Sequence, residues 1–372
     1  MKVYDLKING LREPMGFLME HISVSWKVAD AKDTRQKWAK VEVAEDQEFK
    51  TEFHEFCGEE LSSVSTILPL VLKPRCRYFF RVTVVGERGE VGISEVSFFE
   101  TGKMQENWIG NWIGMEEDDI HPFFFKNFAL KGKILKARLY LTGVGLYEAF
   151  INGKKAGNEV LAPFFNDYLS AVQYQTLDVT DLLKEENEIG IYLGNGWYKG
   201  RLGYGGKKEV FGKDFLMIAE LHVFYADGRE EIIASDETWN YKGSDIEMSD
   251  IYDGETCNRL LWEKQENRVK KAVLKQGLPL TDRYSVPLKV METLSVKELI
   301  VSPKDEVILD FGQNFAGRIR FEAKLPKGCK VVIEAGEILQ EGCFYRDNYR
   351  SAKACFTYVS NGEKEIVTPI FT

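Results

Sequence analysis

Apolar residues recur at every second position along most of this chain. The pattern is plain in Ile22-Ser-Val-Ser-Trp26-Lys-Val28, Tyr78-Phe-Phe-Arg-Val-Thr-Val-Val85, Ala137-Arg-Leu-Tyr-Leu141 and Val331-Val-Ile-Glu334. Successive side chains of a strand point to opposite faces, so a period of two places one apolar set against a core. A helix needs spacings of three and four, and such stretches are scarce. The best helix candidates are short, Asp178 to Leu183 and Trp262 to Leu274. Many short strands separated by turn residues predict an all-β chain of tandem β-sandwiches rather than an α/β sheet. The 24 Phe, 16 Tyr and 7 Trp suit half-buried pleated surfaces, and any left exposed could stack on sugar rings.

A length of 372 residues predicts two to three domains. Three blocks are read, 1–102, 103–280 and 281–372. In the first, a core Trp26 is followed by the strand Arg77-Tyr-Phe-Phe-Arg-Val-Thr-Val84, the turn Gly86-Glu-Arg-Gly89 and the closing strand before Thr101-Gly102. An early Trp, a Y-x-x-R-V strand and an F-x-T-G ending resemble a fibronectin type III domain, a module that implies a spacer or docking surface. The second block carries a tight hairpin turn at Asn152-Gly153 and a glycine-rich loop reaching Gly206. The third ends in Glu365-Ile-Val-Thr-Pro-Ile-Phe-Thr372, a β-branched apolar run without a closing turn. It reads as a strand still running, and the chain therefore as the front part of a longer protein whose last sandwich is incomplete.

Several function classes are excluded on chemical grounds. A net charge of −9, from 58 acidic and 49 basic residues, disfavours nucleic-acid phosphates as partners. No apolar run approaches membrane-spanning length, and no segment resembles a secretory leader. The six cysteines (Cys57, Cys76, Cys257, Cys329, Cys343, Cys355) form no CxxC and read as reduced thiols of a cytosolic protein. The four histidines are isolated, and neither a GxSxG elbow nor a phosphate-binding glycine motif is present. The run Glu116-Glu-Asp-Asp119 reads as a solvated loop, with a cation or partner site as its alternative. Glycoside hydrolysis needs two carboxylates facing across a cleft, and 58 acids nominate no pair by themselves.

Segments of the second and third blocks carry a family resemblance. INGKKAG, APFFNDYLSAVQYQTLDVTDLL, LGNGWYKGRLGY, SDIYDGE, DFGQNFAG, EAGEIL, RDNYRSAKACFTY and TPIFT follow one another, from Trp108 to Thr372, as in the N-terminal half of bacterial α-L-rhamnosidases. The resemblance implies a jelly roll and a further β-sandwich that precede an (α/α)6 catalytic barrel. In that family the barrel supplies the acid and base carboxylates of an inverting mechanism. It implies that this chain is non-catalytic, that the missing barrel is its natural partner, and that no cofactor is required.

The jelly roll of that family resembles carbohydrate-binding modules, some of which hold rhamnose with the help of calcium. The residues best suited to rhamnose-containing glycans are Asn166, Asp167, Asn195, Trp197, Tyr198, Arg201 and Tyr204, with Asp167 and Asp214 as calcium ligands. Tyr168 and Lys213 flank them. Each has a plainer reading. Trp197 and Tyr198 pack at a core edge, Asn195-Gly196 makes a hairpin turn, and Asp167 caps a local turn. Leu169-Ser-Ala171 departs from the charged or amide residues common at that position in the family, which weakens a calcium–sugar site there. Asp253, Glu255, Asn314 and Arg318 read as structural or interdomain residues. The alternative to an enzyme's accessory region is a stand-alone carbohydrate-binding or scaffold protein.

Overall fold

A computed structural model describes residues 1–116, 120–265 and 268–372. The acidic run from Glu117 to Asp119 lies outside the described residues. The regular secondary structure is almost entirely strand, as the alternation requires, and the chain divides into two compact units.

The first unit comprises Met1–Asn107 together with Thr281–Tyr284. One sheet orders strands Lys2–Ile8, Ile22–Ala29 and Thr66–Leu68. The other runs Met15–Phe17, Ser97–Thr101, Arg77–Gly86, Gln36–Ala44 and His54–Gly58. Ile22, Val24 and Trp26 bury on alternate positions against Val41, Val43, Phe80 and Val82. Tyr78 of the Y-x-x-R-V strand stacks on Phe99 at 5.1 Å, and its hydroxyl accepts from Lys73 N at 2.8 Å. That bond reaches backbone five residues upstream and satisfies a polar tip inside an apolar core.

The second unit comprises Trp108–Leu280 and Ser285–Thr372. Two six-stranded sheets hold most of it. One is centred on Ile134–Gly143 paired with Met217–Tyr225, the other on Pro122–Ala129 paired with Glu186–Gly194. Leu139, Leu141, Ile189, Ile191, Met217, Leu221 and Trp239 fill the space between them. The predicted turn at Asn152-Gly153 is present: both residues have positive φ, 53° and 74°, and join Leu146–Ile151 to Lys154–Lys155. Positive φ at both central positions matches the right-handed twist of the paired strands.

A four-stranded sheet orders Ile246–Asp250, Gly254–Asn258, Cys355–Val359 and Lys330–Glu334. Its central pair, Gly254–Asn258 with Cys355–Val359, is parallel. Three two-stranded pairs accompany it, Glu298–Val301 with Val307–Asp310, Phe321–Lys324 with Lys364–Val367, and Ile338–Gln340 with Cys343–Tyr345.

Three expectations change. The helix read over Trp262 to Leu274 is confined to Arg259–Gln265, and strands Lys270–Lys271 and Val273–Leu274 follow it. The edges of Asn240–Gly243 and Ile113–Gly114 take up those residues, and sheet pairing overrides a weak local helix preference. Between Asp178 and Leu183 only a single 3-10 turn forms, Thr180–Leu182. The closing run is also not one strand. Pairing stops at Val367, and Pro369, which has no N–H to give a ladder, begins a segment anchored by other means.

All six cysteines are free, with Cys57 exposed and Cys257 and Cys343 buried. No helix among the described residues is long and apolar enough to cross a membrane.

Candidate functional site

The loops nominated from the sequence lie in the second unit, and their polar groups are largely engaged by the fold. Asn166 is buried. Its Oδ1 accepts from Gln173 N at 2.9 Å and Gln173 Nε2 at 3.1 Å, and its Nδ2 donates to Phe164 O. Asp167 is exposed, and its carboxylate accepts from Leu169 N at 3.3 Å and Ser170 Oγ at 2.6 Å. Both bonds stay inside the 167–170 turn, which is the capping role its plainer reading gave it.

Asn195-Gly196 does not make a hairpin turn. Gly196, at φ 50°, opens the one-turn helix Gly196–Lys199, which directs Trp197 and Tyr198 to different neighbours. Tyr198 is buried against Tyr168 at 5.1 Å, and burial pushes both phenols upward. Trp197 is half-buried between Phe164 at 5.2 Å and Phe165 at 6.1 Å, both edge-on. Phe211 completes the cluster 5.2 Å from Tyr168. Phe165, 43% exposed, is the ring of this group that faces solvent most. The PFFNDY and GNGWY motifs thus meet in one aromatic knot, and the packing reading of Tyr198 holds.

Asn195 is fixed from behind. Its backbone N–H donates to Ser249 Oγ at 3.0 Å and its Nδ2 to Ser249 O at 2.8 Å, while its buried Oδ1 has no partner among the described residues. Ser249 Oγ also meets His121 Nε2 at 2.9 Å. Burial, reinforced by the Lys199 charge, lowers His121 to about 4, so the ring is neutral at pH 7. Nothing in sequence marked this pair, because residues 121 and 249 come together only through sheet topology.

Arg201 is separate from the aromatic knot. Its backbone N–H donates to Asp250 Oδ2 at 2.7 Å. Its guanidinium donates to Ser351 O at 3.0 Å and lies 3.4 Å from Asp253 Oδ1. Asp250 Oδ1 in turn accepts from Tyr252 N and Asp253 N. Arg201 therefore clasps two loops distant in sequence, an organising role. Tyr204 stands 94% exposed at the tip of the 202–207 loop, closed by a Leu202–Lys207 bridge. Asp214 faces Lys275 at 3.7 Å. Among the described residues no group of three or more His, Cys, Asp or Glu converges as a metal site, and Asp167 and Asp214 have these local partners instead.

Of the residues read as structural or interdomain, Asn314 is exposed, whereas Glu255 and Arg318 are tightly engaged. Glu255, fully buried, accepts from Ile370 N at 2.9 Å and Phe371 N at 2.7 Å. Arg318 Nη1 donates to Pro369 O at 2.8 Å and Ile370 O at 3.2 Å. Together they hold the final segment, and Phe371 is buried beside Leu146, Tyr358 and Val367. Burial pushes Glu255 up to about 7, against the pull of the two amides. Such a shift can mark a general acid, but here both oxygens face backbone amides inside a core, closed to any sugar. A cavity of about 200 Å³ lined by Tyr192, Asp245, Arg259, Trp262, Glu263 and Asn361 is similarly occupied with ion pairs, Arg259 being bidentate to Glu365 at 3.0 and 2.9 Å.

Comparison with known proteins gives these features a setting. Residues 3–105 match a family model described as the Rha78A-like N-terminal immunoglobulin domain. Residues 132–277 match the α-L-rhamnosidase N-terminal domain, and 300–372 the bacterial α-L-rhamnosidase concanavalin-like domain. An α-L-rhamnosidase of Streptomyces avermitilis is 34% identical over 254 residues, 64% of this chain and 24% of its own length. One from Alteromonas sp. is 27% identical across 100% of this chain and 44% of its own. The crystal structure of the Aspergillus terreus α-L-rhamnosidase superposes with a TM-score of 0.90 at 28% identity, covering all of this chain and 45% of that one. The chain thus spans less than half the length of each of these relatives.

Proposed function

Because this chain is built from the N-terminal domains of the α-L-rhamnosidases, we propose that it is the accessory region of such an enzyme, supporting hydrolysis carried out by polypeptide outside these 372 residues. The observation that carries the reading is the state of its carboxylates. Inverting glycosidases need an acid and a base about 6.5–9.5 Å apart across an open cleft, with the acid held protonated near neutral pH. Two carboxyls among the described residues are pushed upward by burial, Glu255 and Asp282. Glu255 is spent on two amides of the closing segment, and Asp282, near 6, is buried and accepts from Met104 N. Neither can reach a glycosidic oxygen. The decisive assay is hydrolysis of an aryl α-L-rhamnoside by the 372-residue chain. No turnover is expected, and measurable turnover abolished by a point substitution would overturn the reading.

A second reading, rhamnose binding by the jelly roll, is favoured by the exposed face of Phe165 beside the half-buried Trp197 and by the exposed ring of Tyr204 on its own loop. Titration calorimetry with L-rhamnose, with and without calcium, tests it. Heat that Tyr204→Ala or Trp197→Ala removes supports binding on these loops, and absence of heat in both conditions counts against it.

A further inference from the structure

The 298–310 hairpin is apolar on both faces. Strands Glu298–Val301 and Val307–Asp310 pair Leu299 with Leu309 and Val301 with Val307. Residues opposite one another in an antiparallel pair share a face, so these four side chains project together. They are 62%, 42%, 63% and 69% exposed in that order. The other face carries Ile300 and the buried Ile308. A sheet with one wet face alternates apolar with polar, whereas apolar residues on both faces belong to a sheet covered on both sides.

The face is presented by a held element. Glu306 Oε2 accepts from Ser302 Oγ at 2.7 Å within the turn and from Phe344 N at 2.9 Å in the neighbouring strand. At the open end, Lys297 N donates to Asp310 O at 2.7 Å. The four side chains leave roughly 400 Å² of apolar surface in water, in the range where a patch on a folded protein marks an interface.

We infer that this face is the docking surface for the polypeptide that makes up the remainder of the α-L-rhamnosidase relatives, an inference that rests on the accessory-region reading above. Two arguments select that occupant over a second copy of the chain. A symmetric dimer through this patch would bury about 800 Å² in total, short of the roughly 1,200 Å² at which specific interfaces begin. A covalently continuous partner avoids the several kcal/mol that free association costs, so a small patch suffices. The relatives supply such a partner, since more than half of the Alteromonas protein lies outside its match to this chain.

The test compares the 372-residue chain with the same chain joined at Thr372 to the unmatched remainder of the Alteromonas relative. Hydrogen exchange at the 299–301 and 307–309 amides is expected to slow about tenfold on joining, since local opening is suppressed by coverage. Replacing all four outward residues with Thr (Leu299→Thr, Val301→Thr, Val307→Thr, Leu309→Thr) keeps β propensity and is expected to abolish the slowing. Unchanged exchange in Ile134–Gly143 checks that the variant is folded. Equal exchange with and without the added polypeptide overturns the inference. So does sedimentation showing a dimer of the chain alone that the four-Thr variant dissolves, because the face then belongs to a second copy. Rhamnoside turnover is read separately. A protected hairpin without turnover keeps the docking face and removes the enzyme reading, and turnover with an unprotected hairpin does the reverse.

Discussion

At the scale of single residues, Glu255 and His121 give this protein two opposing pH dependences. Glu255 titrates near 7 in the folded chain against 4.5 when free. Between those values the folded chain holds a proton that the unfolded chain releases, so its contribution is complete below about 4.5 and is lost as pH rises through 7. His121 titrates near 4 against 6.5, and the unfolded chain binds the extra proton. Its contribution is complete above about 6.5 and is lost as pH falls through 4. Each window spans about 3 kcal/mol. Glu255→Gln keeps an acceptor for Phe371 N and removes the titration. Urea unfolding from pH 5 to 8 is therefore expected to show wild-type stability falling by about 2.5 kcal/mol more than the variant's, and parallel profiles would count against the assignment. Tyr204 and Tyr198 form a contrasting pair. Tyr204→Ala is expected to leave the unfolding midpoint within about 0.5 kcal/mol, since its ring touches water. Tyr198→Ala opens the aromatic knot and is expected to cost about 3–5 kcal/mol by the same measurement.

Elements were legible where their information is local. The alternation in Ile22–Ala29 and the Asn-Gly pair at 152–153 carry their geometry in adjacent residues, and strand and hairpin follow. Asp167 announced a cap in the same way. Arg201 did not announce its clasp, because Asp250, Asp253 and Ser351 lie 49, 52 and 150 positions away. The 270–274 strands were missed for a similar reason, since the edges that recruit them are remote in sequence. Two glycines separate local from long-range cost. A Cβ on Gly153 meets open space, so Gly153→Ala is charged only for its φ of 74°, about 1 kcal/mol. A Cβ on Gly254 would stand 1.9 Å from Cys355 O. Gly254→Ala is expected to break the parallel pairing and to expose the Cys355–Val359 amides to exchange, while Gly153→Ala leaves them protected.

For the whole molecule, two compact units with separate cores predict two unfolding transitions. Trp26 is buried in the core of the first unit and Trp239 in that of the second. Calorimetry of Trp26→Ala and Trp239→Ala is expected to lower one transition each, by about 3–5 kcal/mol. A single transition moved by both substitutions would show that the units unfold as one. Sequence carried the all-β class and the family resemblance at this scale. It could not carry which strands share a sheet, because pairing between distant segments leaves no periodic trace in either.

The parallel pairing of Gly254–Asn258 with Cys355–Val359 also sets a timetable for biosynthesis. The earlier strand leaves the ribosome about a hundred residues before its neighbour, and at about 5–20 residues per second that interval lasts roughly 5–20 seconds. Throughout it, one flank of the strand is held by Ile246–Asp250 while the other offers unpaired amides and carbonyls. The nascent chain therefore passes through a stage in which an open edge is also the seat its own later segment must find. Slower elongation after codon 258, or a chaperone that shields that edge, would govern how much of the protein reaches the native pairing.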